Sequence, residues 1–350
     1  MKDNLNSHYF HAEAHALSGK LQLPFEQQIK KQAFVKLEGE SEKLLLEGDQ
    51  KPLNEKRAQE NYLSQHSKNY RLEGIISYSA AHTQVSGHRS KKDPTAFVTL
   101  ATSSVENLNV LNVVTADRVV GQISTTHFPN QYSPQVTFLG THFENLRIAR
   151  HKTEPVVNLA LAGKPPVGED AYYPTEATKE TGLMASAERL YRKLRSDFEK
   201  VKEELEHEYL QRLDVNDSWF SKQYHKFSDF NYGQLQQDAK DAAAKSAKAS
   251  NGNGGKWEGV TCSLVEHVEI EDIKIPIKNA PKPIMIPPPA RCFGHVIHVP
   301  DFGTIFLAEL KVNHNSFHLT MIRLELGCIA DGSASIATCN VNGGRKPPGP

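Results

Sequence analysis

Apolar and polar residues alternate along most of this chain, and this period of two constrains the fold more than any other feature. Residues 9–17 carry Phe10 and three alanines on one face, and polar or aromatic side chains on the other. Such alternation is typical of a strand with one buried face. The pattern returns in three further segments, at 33–37, 265–277 and 319–328. Residues 113–124 are apolar on both faces, as expected inside a sandwich or a packed β-roll.

An internal similarity supports the β interpretation. Residues 97–110 (FVTLATSSVENLNV) and 135–148 (QVTFLGTHFENLRI) match at an offset of 38 residues, and residues 265–270 resemble a third, weaker copy. The pattern predicts a repeated strand–turn–strand unit with Glu-Asn in the turn. Two good copies fall short of the three or more that a solenoid needs. We therefore expect a β-sandwich or β-roll, with a short β-solenoid as the alternative.

The period changes after residue 180. Apolar residues recur every three or four positions over 183–209, which predicts an amphipathic helix of about 30 residues. A second helical stretch is predicted at 218–248, followed by the linker Asn-Gly-Asn-Gly-Gly. The expected fold class is thus mainly β with a long α-helical insertion. The expected organisation is one discontinuous β domain over residues 1–160 and 258–342, a helical insertion at 180–250, and a flexible tail at 343–350.

Composition argues against several classes of protein. The 41 basic residues balance the 41 acidic ones, so we expect no nucleic-acid partner. No segment approaches the ~18 apolar residues that a membrane-spanning helix needs. The N-terminus as written has no apolar export signal, so a cytoplasmic location is expected unless another export route exists or the start lies upstream. Cys328 and Cys339 either form a disulfide or are small buried residues, and the second interpretation is favoured.

Several C-terminal motifs resemble a known family. They are GHVIHVPDFGTIFLAEL at 294–310, LTMIRLEL at 319–326 and ASIATCNVNGG at 334–344, together with VTAD at 114–117. These motifs resemble the bacterial surface proteins called choice-of-anchor P. The resemblance implies a β-rich extracellular or surface module, and it carries no functional residues over. The chain departs from the family pattern in lacking an export signal and in having a long charged insertion at 180–250.

One strand carries a candidate metal site. On a strand, His11, Glu13 and His15 point to the same side, and two imidazoles with a carboxylate suit Zn, Fe(II) or Mn. Side chains two residues apart on a strand lie ~6.5–7 Å apart, so one ion takes two of them more easily than three. The favoured alternative is an ordinary polar outer face.

These observations predict a non-enzymatic structural or binding module, since no common catalytic motif occurs. The alternative is a metal-dependent enzyme on a β-sandwich that uses the His11, Glu13 and His15 face. A protein partner or self-association is expected through residues 183–232, unless that segment packs on the β domain.

Overall fold

The computed structural model describes residues 8–40, 43–48, 62–93, 95–128, 131, 133–163, 260–276, 282–313, 316–327 and 330–345. Their regular structure is entirely β, without a helix. The predicted fold class was therefore wrong in combining the β domain with a long α-helical insertion. Residues 180–250, on which that prediction was based, lie outside the described residues. Period-3.6 spacing alone does not establish a helix, because most helical stability comes from tertiary packing.

Twenty-one strands are formed within the described ranges. In chain order they are β1 (His8–Leu21), β2 (Gln27–Gln32), β3 (Val35–Glu40), β4 (Lys43–Gly48), β5 (Tyr62–Leu72), β6 (Ile76–Arg89), β7 (Phe97–Val110), β8 (Val114–His127), β9 (Gln135–Thr137), β10 (His142–Glu144), β11 (Arg147–Ile148), β12 (His151–Val157), β13 (Val260–Ser263), β14 (Val265–Ile270), β15 (Ile273–Ile275), β16 (Ile284–Ile286), β17 (Arg291–Phe293), β18 (Val296–Val299), β19 (Gly303–Asn313), β20 (Ser316–Leu326) and β21 (Gly332–Arg345).

The strands form two large antiparallel sheets and one isolated pair. The ten-stranded sheet has the order β17-β18-β19-β20-β21-β1-β3-β4, with β2 beside β1 and β13 beside β19. The nine-stranded sheet has the order β14-β12-β11-β8-β7-β6-β5, with β9 and β10 beside β8. Among the strands of the described ranges, β15 and β16 pair only with each other. The first strand therefore lies at the centre of a sheet whose other central strands come from the C-terminal part.

The two large sheets pack face to face as a β-sandwich. Strands β1, β3, β20 and β21 of one sheet lie against β5–β8 of the other. The sheets approach so closely at Gly121 that a Cβ atom there would lie 2.9 Å from Met321 Cγ. Side chains also bond across the gap: Ser103 Oγ donates to the His15 carbonyl at 2.9 Å, and Cys339 Sγ donates to the Gly121 carbonyl at 3.2 Å. Cys339 is thus a buried free thiol, while Cys328 lies outside the described residues.

A row of left-handed residues crosses the nine-stranded sheet. Asn69, Asn107 and Asn145 have φ values of 54°, 51° and 48°. They lie in β5, in β7 and between β10 and β11, on one ladder row that also crosses β6 and β8. The buried side of each strand changes at this row. In β8, even-numbered residues are buried up to Ala116, and odd-numbered residues are buried from Val119 onward. The two apolar faces predicted for 113–124 are therefore one inward face whose alternation shifts by one residue.

The ten-stranded sheet has an equivalent row. Ala33, Ala308 and Ala337 have φ values of 47°, 47° and 52°, and they alternate with regular residues of the intervening strands. In β20 the buried positions change from odd to even numbers between Leu319 and Ile322. Both sheets therefore change their inward face part-way along each strand, which lets strands of up to 14 residues follow the same core.

The 38-residue similarity corresponds to recurring backbone conformations. Positive φ values occur at Glu73-Gly74, again at Leu111-Asn112, and again at Ala149-Arg150. Successive turns are joined by backbone hydrogen bonds, from Leu111 N to Ile75 O at 2.9 Å and from Ala149 N to Val113 O at 2.8 Å. The sequence predicted that the Glu-Asn pairs occupy the turns. They lie before the turns instead. The same conformations also occur upstream, at Asn69 and Glu73-Gly74, whereas no positive φ value occurs at 265–270.

Candidate functional site

The predicted metal-binding residues share the outer face of the ten-stranded sheet. His11, Glu13 and His15 alternate along β1 with the buried Phe10 face behind them. Glu13 Oε1 lies 4.0 Å from His15 Nδ1 and forms an ion pair with Lys31. His15 Nε2 is 2.9 Å from the hydroxyl oxygen of Ser18. The carboxylate is therefore already neutralised by a lysine, and one nitrogen of His15 is already engaged.

The imidazoles of this face are uncharged at neutral pH. Burial lowers the pKa of His15 to about 4, and the positive charge of Lys31 acts in the same direction. Burial also lowers the pKa of His11 and of His318, which comes from β20. Asn340 pairs with both Glu13 and His318, so the ladder places these two residues one strand apart on either side of it. His318 was not among the predicted ligands, because strand order is not visible in one sequence.

The geometry does not bring the predicted trio around one point. Within the described part of the chain, no group of three or more His, Cys, Asp or Glu side chains is arranged to hold a metal ion. A divalent metal at His11, Glu13 and His15 stays a prediction, and so does the metal-dependent enzyme that would use it.

Isolated strands β15 and β16 form a second candidate site, which we call the isoleucine hairpin (residues 273–275 and 284–286). Ile273 pairs with Ile286, and Ile275 pairs with Ile284, so four isoleucines share one face. Lys274 and Met285 pair on the other face. Ten large apolar side chains are exposed among the described residues, and four of them lie on this hairpin. Exposed fractions of 42% for Ile275 and 51% for Ile284 show that the sandwich does not cover them.

The hairpin was not predicted from the sequence, although its first strand falls within the predicted strand segment 265–277. The available signal was the spacing Ile-x-Ile in two segments nine residues apart, IKI and IMI. Alternating isoleucines are typical strand residues, but their pairing with each other outside the main sheets could not be inferred from sequence alone.

A polar groove opens at the end of the ten-stranded sheet where β19 begins and β20 ends. It has a volume of about 600 Å³ and is lined by charged residues that include Lys20, Asp301, Glu325 and Asp331. Two of these charges have partners in the protein: Lys20 pairs with Glu26 at 2.6 Å, and Glu325 forms an ion pair with Arg323. The groove offers hydrogen-bonding groups, and its partly compensated charges give it no marked preference for an anion.

Arg323 joins this groove to a buried ion pair. Its guanidinium also pairs with Glu309 and lies 3.5 Å from the centroid of the Phe306 ring. Burial acts to raise the pKa of Glu309, but hydrogen bonding and charge from Arg323 hold it below its usual range. The carboxylate therefore stays ionised, which fits a structural ion pair better than a general acid.

No helix that could cross a membrane occurs within the ranges that the structure describes. A family model described as "Domain of unknown function (DUF8256)" matches residues 60–313 of the chain. No curated protein and no solved structure matches it. Because the family match extends over more than half of the sequence, the chain belongs to the DUF8256 family.

Proposed function

We propose that this protein is a non-enzymatic binding module that engages another protein through the isoleucine hairpin. The observation that carries the proposal is the exposed aliphatic face of that hairpin. Clustered apolar side chains on a soluble surface commonly mark sites of protein interaction. Single exposed apolar residues elsewhere on the sandwich do not carry this meaning, because they are ordinary on protein surfaces.

The energetics of the hairpin favour an apolar partner. An isolated two-stranded hairpin is marginally stable in water, and this one pairs with neither large sheet. Complete burial of an isoleucine side chain contributes roughly 1.5–3 kcal/mol relative to exposure. Covering Ile275, Ile284 and Ile286 would therefore stabilise both the complex and the hairpin. Since Lys274 lies on the opposite face, the isoleucine face itself carries no charge for a partner to neutralise.

The sandwich is suited to hold the isoleucine hairpin in position. The sandwich is a large body with a continuous apolar core, and it holds β14 immediately before the hairpin. The resemblance of the C-terminal motifs to choice-of-anchor P surface proteins supports the same kind of role, a structural or binding module of the bacterial cell surface.

Site-specific photocrosslinking in the cells that naturally produce the protein tests the proposal. A photoreactive amino acid at position 284 should give a discrete crosslinked product, because this side chain is 51% exposed on the apolar face. The same group at Leu139, which is 65% exposed on the sandwich, provides the matched control and should give no such product. Absence of a product at 284, or the same product at 139, would overturn the proposal.

A variant separates loss of binding from loss of folding. Ile275→Thr together with Ile286→Thr keeps β-branched residues in the hairpin but removes its apolar face. We expect the crosslinked product at position 284 to disappear while the thermal unfolding temperature of the sandwich is unchanged. A product with twice the mass of the chain would identify a second copy as the partner. Persistence of the product in the double variant would contradict the role of the apolar face.

A further inference from the structure

Two histidines face each other on the outer surface of the nine-stranded sheet. His66 of β5 and His82 of β6 are directly opposite in the antiparallel ladder. Their ring centroids are 4.3 Å apart. His82 Nδ1 lies 3.2 Å from both His66 Nδ1 and His66 Nε2. The pair belongs to neither the isoleucine hairpin nor the predicted His11, Glu13 and His15 face, which lies on the other sheet.

We propose that His66 and His82 together bind a divalent ion of the first transition row, with Cu²⁺ bound most tightly. Metal–nitrogen bonds of ~2.0–2.1 Å place two neighbouring ligand nitrogens about 2.9–3.4 Å apart, depending on the angle at the metal. The observed 3.2 Å between ring nitrogens lies in this range. Because His82 Nδ1 is equally far from both nitrogens of His66, it lies over the face of that ring, and a turn of the His66 ring about its Cβ–Cγ bond directs one lone pair to the ion. Imidazole is a ligand that suits Zn, Cu and Ni, so these are the ions the pair selects.

The strands hold the two histidines opposite each other before any ion arrives. Strands β5 and β6 stay in register on both sides of the histidine pair, from Tyr62–Ser86 to Leu72–Ile76. Binding therefore requires little ordering of the backbone, which lowers its entropic cost. Since the described residues supply no third ligand of the His, Cys, Asp or Glu type here, water completes the coordination shell. Such an ion is exchangeable and links two strands at the sheet surface.

Calorimetric titration of the tag-free full-length protein with CuCl₂, ZnCl₂ and NiCl₂ tests the site in a non-coordinating buffer at neutral pH. We expect affinity in the order Cu²⁺ above Ni²⁺ and Zn²⁺. His66→Ala and His82→Ala should each weaken the tightest Cu²⁺ site at least tenfold, because a chelate needs both rings. His142→Ala and His267→Ala remove half-exposed rings on the same sheet and should leave that site unchanged.

A second measurement guards against variants that merely fold poorly. Thermal unfolding in the absence of metal should be similar for the wild type, His66→Gln and His82→Gln. Added Cu²⁺ should raise the unfolding temperature of the wild type only, because a ligand of the folded state stabilises it. If both single variants keep the tightest site, or lose no more affinity than the two controls, the pair is only an imidazole–imidazole hydrogen bond and the proposal fails.

Discussion

At the scale of single residues, histidine is the side chain whose role the sequence reveals least. His8 and His127 meet inside the sandwich with ring centroids 4.7 Å apart, and His8 stacks on Phe97 at 4.8 Å. Burial lowers the pKa of His8 to about 4, and burial together with His8 lowers the pKa of His127 to about 3. The alternation predicted the face of β1 correctly for Phe10, and it places position 8 on the same side, but the predicted strand began at residue 9 and so left His8 out.

These buried rings predict a loss of stability in acid. An unfolded histidine takes up a proton near pH 6.5, whereas folded His127 resists protonation until about pH 3. The contribution of this neutral ring to the free energy of unfolding is therefore complete above about pH 6.5, and it decreases as the pH falls toward the pKa of the folded state. Each such group contributes up to about 1.4 kcal/mol per pH unit in this window.

The variant His127→Gln should show a shallower loss. Glutamine does not titrate, so the slope of the unfolding free energy between pH 6 and 4.5 should decrease by about 1.4 kcal/mol per pH unit. Urea unfolding at a series of pH values measures this slope. The half-exposed His267 supplies the control, and His267→Gln should leave the slope close to that of the wild type. An unchanged slope in His127→Gln would contradict the buried, neutral state.

At the scale of elements, the sequence predicted strands well but not which side of each strand is buried. Alternation is a sound guide until a left-handed residue shifts it by one position, as at Asn107 in β7. Asparagine tolerates this conformation better than most residues, so the Asn rows left a weak signal. Ala308 and Ala337 gave no such signal in the sequence, because alanine has no preference for the left-handed region. Their conformation is imposed by the neighbouring strands.

A substitution series at Asn107 tests the importance of the left-handed row. Its φ is 51°, and its Nδ2 donates to Ser79 Oγ at 2.8 Å. Asn107→Gly keeps the conformation and should cost about 1 kcal/mol, mainly through the lost hydrogen bond. Asn107→Ala should cost more, and Asn107→Val the most, since the left-handed region costs roughly 1–2 kcal/mol for ordinary residues with a Cβ, less for asparagine, and most for β-branched residues. Equal urea midpoints for the Gly and Val variants would show that the conformation is not required.

At the scale of the whole molecule, the family match and the sandwich have different boundaries. The match covers residues 60–313, but β1 and β3 precede it, and β20 and β21 follow it. Those four strands form the centre of the ten-stranded sheet. Sequence alternation located most of these strands individually, but their order depends on contacts between residues hundreds of positions apart. Cross-sheet pairs such as Cys339 with Gly121 have no counterpart in the local pattern.

The chain leaves and re-enters the sandwich at neighbouring strands. Val157 at the end of β12 pairs with Val265 of β14, and Asn158 N donates to the Leu264 carbonyl at 2.7 Å. The described residues on the two sides of 164–259 therefore contact each other directly. Shortening a loop whose ends are already paired reduces the entropy lost on closing it.

Replacing residues 166–257 with a short Gly/Ser linker should consequently leave the sandwich folded. We expect one cooperative thermal transition with near-wild-type β content by circular dichroism, because every cross-sheet contact described above is retained. The matched disruption is deletion of residues 1–21, which removes β1 from between β21 and β3 together with the buried Phe10 and Leu17. That variant should lose the cooperative transition. If the linker variant also unfolds, residues 166–257 are part of the folding unit, and the discontinuous β domain does not fold without them.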